Sequence, residues 1–278
     1  MNISPIFRSG FKVARYVIPA STPTFSLACN VYTHQGSARP AANISAAPAS
    51  QSAPPLLFTH ANGFCKETWE PVMSRLAAPW INSEMYAFDC RNQGDSAVLN
   101  KDILPDTFDW YSYATDILKV IDTFSIKKPV GIGHSFGASA FILAESMRPG
   151  TFSAIVAIDP TMFPREIFIN APLDDHPMAQ ITLKRRDTWK DKAECKAKLL
   201  EKRFFRAFHP DALDLYVEYG MVDVENADGS KSVTLKCSKF QEAITFAHEG
   251  TGLHDAFENL STVNVPVHII AGETSDIK

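Results

Sequence analysis

The chain predicts an α/β fold, a mostly parallel sheet with helices on both faces and a helical lid inserted before its last strand. Three observations point there. Short apolar runs alternate with amphipathic stretches from Leu56 to Ile158, as right-handed βαβ crossovers require. Those runs are apolar enough to serve as strands covered on both faces. The alternation breaks after Met162 and resumes at Val265, so the block between interrupts the sheet.

In chain order, residues 11 to 20 and 25 to 34 are β-branched and aromatic runs split by "STPT", which predicts a hairpin. The segment from Gln35 to Pro55 is almost all Ala, Ser, Pro, Gly and Asn, so it has little to bury and is expected to be a disordered insertion. "LLFTH" then reads as a strand before a helix over Glu67 to Ala78, and "EMYAFDC" as a strand before "DTFDWYSYATDILKVIDTFS". "PVGIGHS" is a strand before the helix "FGASAFILAESM", and "FSAIVAIDP" is the next strand. Beyond it, "ITLKRRDTWKDKAECKAKLLEKRFFRAF" predicts a long basic helix or helix pair, and "ENADGSKSVTLKC" a small turn with a strand-like tail. The expected organisation is a core over residues 1–161 with the insertion at 35–55, a lid over 162–250, and a truncated core continuation over 251–278.

Composition excludes several classes. A net charge of −4 gives no electrostatic case for nucleic acid. Cys29, Cys65, Cys90, Cys195 and Cys237 are scattered without a CxxC pair or a zinc spacing, which predicts reduced thiols in an intracellular protein and no metal or other cofactor. No apolar run approaches the roughly 20 residues of a membrane span, so no integral membrane segment is expected. No acidic residue precedes Glu67, a bias shared with transit peptides, but the two early strand patterns claim that segment for the fold.

Chemistry concentrates at Gly133-His134-Ser135-Phe136-Gly137, where one serine stands between two glycines at a strand-to-helix boundary. A serine hydroxyl is a weak nucleophile until a turn presents it to a base and to backbone N–H groups that hold an oxyanion. Flanking glycines relieve crowding there, and the N–H of Phe136, next in the chain, faces the reacting oxygen in such an elbow. A second donor is expected from "HANGF", His60 to Phe64, directly after "LLFTH": the N–H of Ala61 or Asn62, with His60 ordering the loop in a supporting role.

With "HANGF", "MYAFDCRNQGDS", "YATDILKVID", "GHSFGA" and "IVAIDP" in this order, the chain resembles the α/β-hydrolase family over roughly Val13 to Met162 and from Val265 onward. "HANGFCKETW", "HPDALDLYVEYG", "TLKC" and "EAITFAHE" are similar to fungal peroxisomal hydrolases of the yeast peroxisomal lipase kind and to hydrolases of fungal host-selective toxin clusters. The resemblance implies the α/β-hydrolase fold and a triad in the order Ser, acid, His. Ser135 is then the nucleophile; elbow Asp, as in epoxide hydrolases, is excluded. Asp276 in "AGETSD" is the expected acid, Asp159 in "AIDP" the alternative and Glu273 a third choice.

The base belongs beyond an eighth strand, and no histidine follows in the chain, so a final strand and helix are expected to be missing. His134 is directed away by the elbow, and His268 is expected to face a helix from within strand seven. His34, His176, His209 and His248 lie elsewhere, which leaves His254 as a stand-in only if the lid junction bends over Ser135. Loss of a triad member costs roughly a million-fold in turnover, with about 10³ over water remaining from binding and the oxyanion hole.

The resemblance also implies a peroxisomal location, with the cytoplasm as alternative, although the chain ends in "DIK" and not in a Ser-Lys-Leu type address. Expected function is hydrolysis of an ester or acyl-thioester of a hydrophobic acid, a small-molecule acyl substrate, within a fungal toxin or other secondary-metabolite pathway. The alternative is a catalytically impaired ligand- or partner-binding protein. Aromatics of "RFFRAF", "MFPREIFI" and "DLYVEYG" offer an acyl lining or simple helix packing. Lys184, Arg185, Arg186 and Lys190 make a basic surface suited to an acidic acyl carrier, or a solvated face.

Overall fold

A computed structural model describes residues 10–35, 53–76, 80–166, 171–247, 251–273 and 275. Its large sheet has seven strands in the order β1-β2-β4-β3-β5-β6-β10 among these residues. Strands β1 (Phe11–Pro19) and β2 (Ser26–His34) form an antiparallel hairpin running from Phe11 opposite His34 to Pro19 opposite Ser26. β2 pairs antiparallel with β4 (Met85–Phe88), and from there the sheet is parallel. β3 (Leu56–Thr59) lies between β4 and β5 (Val130–His134); β6 (Ala154–Ile158) and β10 (Val267–Ile270) follow. The chain thus leaves β3 on one side for β4 and returns on the other for β5. In open α/β sheets that reversal opens a crevice at the carboxyl ends of the strands.

Alternate residues of β3 supply both faces of the core. Leu56 and Phe58 pack with Phe11, Tyr32, Trp69 and Met85 on one face, while Leu57 joins Phe88, Tyr113, Ile117 and Phe141 on the other. The elements after β3 are shorter than a continuous helix over 67–78 would give. A single 3₁₀ turn, Lys66–Trp69, leads into the one-turn helix α1 (Glu70–Met73), with residues 77–79 outside the described set. The sequence pattern also overlooked α2 (Gly94–Asn100), directly after β4.

Helix α3 (Trp110–Thr123) starts where the Asp109 carboxylate accepts the Tyr111 N–H, and buries Trp110, Tyr113, Ala114, Ile117, Val120 and Ile121 at three- and four-residue spacing. Helix α4 (Phe136–Met147) is different: every residue from Phe136 to Glu145 is buried. An all-round apolar helix belongs at the centre of an α/β domain, which explains why the residue before it can be held so rigidly.

The lid is not helical alone, which corrects the expectation of a helical lid. Between β6 and β10 come α5 (Pro177–Lys184), β7 (Thr188–Trp189), α6 (Lys192–Leu200), α7 (Arg203–Arg206), α8 (Pro210–Tyr219), β8 (Met221–Glu225), β9 (Lys231–Leu235) and α9 (Lys239–Phe246). The three strands form a small antiparallel sheet in the order β7-β9-β8. The expected long basic helix is broken because Thr188 and Trp189 pair with Thr234 and Val233. A new helix starts after Asp191, whose carboxylate accepts the Glu194 N–H while Glu194 accepts the Lys190 N–H. This is the reciprocal logic of a capping box.

The lid has its own core, built from Trp189, Cys195, Leu213, Tyr216, Val217 and Val233. Helix α10 (Gly252–Asn259) returns the chain to the main core, where Gly252 is pressed so close to Trp110 that an added Cβ would come within 2.7 Å. His268 is exposed on β10 and does not face a helix, because β10 holds the edge of the sheet among the described residues. Residues 36–52, most of the expected insertion, lie outside the described residues.

Candidate active site

Ser135 sits between β5 and α4 with φ +56° and ψ −126°, a left-handed conformation that a side chain rarely adopts. Such backbone costs of order 1–3 kcal/mol and persists only where the surroundings enforce it. Here they do. The Ser135 N–H donates to the Ile158 carbonyl at 2.9 Å, which pins the turn to β6. A Cβ on Gly133 would come within 2.6 Å of the Ala138 Cα, and one on Gly137 within 2.5 Å of the His60 carbonyl oxygen. Both glycines of the motif are therefore required by closeness of backbone.

The His60 to Phe64 loop lies against the first turn of α4. Thr59 Oγ1 donates to the Gly137 carbonyl at 2.9 Å, and the His60 and Phe136 rings meet at 6.4 Å. His60 orders this loop with both ring nitrogens. Nε2 accepts the Cys90 N–H at 3.1 Å, so Nδ1 carries the proton and donates to the Ala61 carbonyl at 2.9 Å. Burial holds the His60 pKa below its ordinary value, although Asp89 nearby works in the opposite direction.

Asn62 spends its side chain elsewhere: Nδ2 donates to the Glu242 carbonyl and Oδ1 accepts from Gln93, each at 2.9 Å. Gly63, at φ +82°, donates its N–H to Gln93 Oε1. The backbone N–H groups of Ala61 and Asn62 are what this loop can offer an oxyanion. Phe136 offers another, because the first N–H of a helix has no intrahelical acceptor and carries the positive end of the dipole. The elbow and the loop after β3 are thus brought together.

The acids and the bases are not assembled in the same way. Asp159 stands at the end of β6 with φ +41°, its N–H donating to the Ile270 carbonyl at 2.7 Å and its Oδ1 accepting the Gly272 N–H at 3.0 Å. Asp276 lies outside the described residues, and Glu273 is exposed after β10. His134 is largely buried, which lowers its pKa against the opposing pull of Asp159. His254, on α10, shares an Nδ1 hydrogen bond with the Phe163 carbonyl at 2.9 Å. His176 and His209 cap α5 and α8, accepting the N–H groups of Ala179 and Asp211, and His248 lies outside the described residues.

Among the described residues, the hydroxyl partner of Ser135 is Thr161, Oγ to Oγ1 at 2.9 Å. Thr161 is held in turn by Ser139, whose Oγ donates to its carbonyl at 2.7 Å. Sequence reasoning missed Thr161, and no motif marks it. Only the parallel register of β6 beside β5 brings its loop level with the elbow.

Sequence reasoning also missed a buried ion cluster. Lys66, 2% exposed, reaches Asp89 at 2.8 Å, Asp95 at 2.7 Å and Glu67 at 3.0 Å. Burial opposes its charge, but Asp89 and Glu67 outweigh it and hold the ammonium well above its usual range. Asp89 also accepts the N–H groups of Lys66 and Asp95, fixing the loop ends around the crevice. Among the described residues there is no cluster of His, Cys, Asp and Glu suited to a metal ion, and no helix is long and apolar enough to cross a membrane.

Comparison with known proteins adds the family context. The profile of the alpha/beta hydrolase family matches residues 56–275. Peroxisomal membrane protein LPX1 of Saccharomyces cerevisiae is 31% identical over 123 residues, 40% of this chain and 32% of that protein. Type I acyl-CoA thioesterase mpaH of Penicillium brevicompactum is 25% identical over 234 residues, 75% of this chain and 53% of its own length. The chain therefore aligns with about half of these relatives or less. The solved structure of the yeast peroxisomal alpha-beta-hydrolase Lpx1 matches with a TM-score of 0.76 at 24% identity, covering 96% of this chain and 76% of that one. The thioesterase domain from the curacin biosynthetic pathway matches with a TM-score of 0.68 at 14% identity, covering 96% and 85%. At these identities the two structures speak for the fold.

Proposed function

The chain belongs to the alpha/beta hydrolase family, and on that premise we propose that it is a serine hydrolase of esters or acyl-thioesters of a hydrophobic acid. One observation carries the reading: Ser135 is held at φ +56° at the N-terminus of α4, with the His60 to Phe64 loop packed on the same turn. Ser135 attacks the acyl carbon, and the N–H groups of Phe136 and of Ala61 or Asn62 receive the charge that develops on the carbonyl oxygen. The leaving alcohol or thiol departs as the tetrahedral intermediate collapses, and water then releases the acid from the acyl-enzyme. The Ser135 proton passes to a base that the described residues do not identify and returns from it to the leaving group; Asp276 is the acid proposed to orient that base, with Asp159 as the alternative at the end of the neighbouring strand. Glu273 is the third choice.

Similarity to proteins named type I acyl-CoA thioesterases favours a thioester over a simple ester. Similarity to a peroxisomal yeast protein favours the peroxisome, with the cytoplasm as the other location. A role in a fungal toxin or other secondary-metabolite pathway rests on the resemblance of the sequence motifs alone. The test is turnover of acyl-thioesters of graded chain length by the chain and by Ser135→Ala. Turnover that rises with acyl length and falls at least 10³-fold in the variant supports the proposal; equal turnover by both contradicts it.

A second reading, ligand binding without effective turnover, is favoured by the Ser135 hydroxyl being paired with Thr161 and not with an imidazole among the described residues. Added imidazole separates the two. It should raise turnover by the parent chain and leave Ser135→Ala unchanged if the elbow is competent and short of a base. No acceleration together with saturable acyl-ligand binding would favour the second reading.

A further inference from the structure

The elbow is tied to the segment after β6 by backbone and side chain alike. The Ser135 N–H donates to the Ile158 carbonyl at 2.9 Å, the Thr161 N–H donates to the Ser135 carbonyl at 3.4 Å, and the Ser135 and Thr161 hydroxyls meet at 2.9 Å. Thr161 is fixed from its other end as well. Ser139, fully buried in the first turn of α4, donates its hydroxyl to the Thr161 carbonyl at 2.7 Å. Backbone bonds thus hold Thr161 on both sides of its Cα, and its β-branched side chain has little rotational freedom left. Its hydroxyl is in place before any substrate arrives.

Proton accounting decides what that hydroxyl does. Each of the two hydroxyls has one proton to give and lone pairs to accept with, and neither has another hydrogen-bond partner among the described residues. If Ser135 donates, its proton is turned away from any base and the bond must break before attack. If Thr161 donates, the Ser135 proton is left for the base and the bond lasts through attack. The second arrangement also gains as the reaction proceeds, because a hydrogen bond to an oxygen that is losing its proton becomes charge-assisted and roughly twice as strong.

We propose that Thr161 is a further catalytic residue: its hydroxyl donates to Ser135 Oγ, holds that oxygen in one rotamer and stabilises the charge that gathers on it. This rests on Ser135 being the nucleophile. In acylation the Ser135 proton passes to the base and the Oγ–C bond forms, while the carbonyl electron pair moves onto the oxygen. The tetrahedral intermediate then collapses, and the base hands that proton to the leaving alcohol or thiol. In deacylation water gives a proton to the base and attacks the acyl carbon, the C–Oγ bond breaks with its electron pair on Oγ, and the base returns the proton to Oγ. Thr161 keeps its own proton throughout and serves Oγ both as nucleophile and as leaving group.

The rate at which a fluorophosphonate probe labels the full chain, followed by intact-protein mass spectrometry, tests the proposal. Thr161→Val keeps the branched shape and both backbone bonds without the hydroxyl, and Thr161→Ala removes the hydroxyl without replacing it. Both should lower the maximal labelling rate about tenfold, the worth of a hydrogen bond to a charged group, with the half-saturating probe concentration and the urea midpoint little changed. Thr161→Ser, which restores a hydroxyl, should keep most of the parental rate. A merely structural contact would instead lower the urea midpoint and leave the maximal rate of the folded chain as it was. Unchanged labelling in Thr161→Val and Thr161→Ala would overturn the proposal, as would an equal loss in Thr161→Ser. Faster labelling would overturn it too and show that Ser135 donates to Thr161. In each of these cases Ser135 stands as the nucleophile, whereas a parent chain with no adduct on Ser135 would end both readings.

Discussion

Ser135 and the glycines around it were legible because the elbow is a local problem. A strand, a left-handed residue and a helix must meet within a few residues, and only small neighbours at 133 and 137 allow it. Gly137→Ala should therefore destabilise the protein by about 1–3 kcal/mol, the usual cost of overpacking, seen as a lower urea midpoint. An unchanged midpoint would mean that the loop after β3 yields easily. His60 was also legible as a support, and its geometry gives a pH prediction. Burial lowers the pKa values of His60, His134 and His176 below 6.5, so their contributions are fully present above that value and fade as pH falls toward the folded-state values. Stability should drop below pH 6.5 at up to about 1.4 kcal/mol per unit for each group, and His60→Gln should flatten the slope in urea titrations across pH 8 to 5. A parallel slope would show that His60 is protonated in the folded protein. Thr161 was illegible, because its partnership with Ser135 spans 26 positions and carries no pattern in the chain.

Strands and the two long core helices were readable from apolar spacing, whereas the segments tied down by charge were not. The stretch after "HANGF" carries the residues of a helix, yet Lys66 and Glu67 are drawn inward to Asp89 and Asp95, and helix formation is confined to short turns. Lys66→Met should cost about 3–5 kcal/mol, because it leaves Asp89 buried without its cation, measured again by urea unfolding. A near-neutral effect would mean that the cluster is a passenger of the fold. In the lid, the basic run misled for a related reason. Trp189 is claimed by a strand that only exists once β9 is in place, and Asp191 restarts the helix. Arg185, expected on a basic surface, turns inward to Glu242 and so ties α5 to α9. Pairings between distant segments decide such features, and periodicity within one segment carries no record of them.

For the molecule as a whole, a mostly parallel sheet was implied by the alternation of elements, whereas the strand order, and with it the crevice at the reversal at β3, came only with the structure. That crevice collects the elbow, the loop after β3 and Asp159 at the ends of three adjacent parallel strands, β3, β5 and β6. The lid reaches the same crevice through Phe64, which belongs to the loop after β3 yet packs into the lid core. Substrate preference should therefore respond to changes on either side of that contact. Phe64→Ala is expected to reduce discrimination between long and short acyl chains and to lower stability by about 1–3 kcal/mol, since the ring is only partly buried where it packs on the lid core. Undiminished chain-length preference would confine acyl recognition to the main domain. The central claim is that the strained serine is the nucleophile. Intact-protein mass spectrometry after exposure to a fluorophosphonate probe tests it most directly. A single adduct located on Ser135 and absent from Ser135→Ala is the predicted result, and a folded chain that takes up no adduct, or takes it up elsewhere, would contradict it.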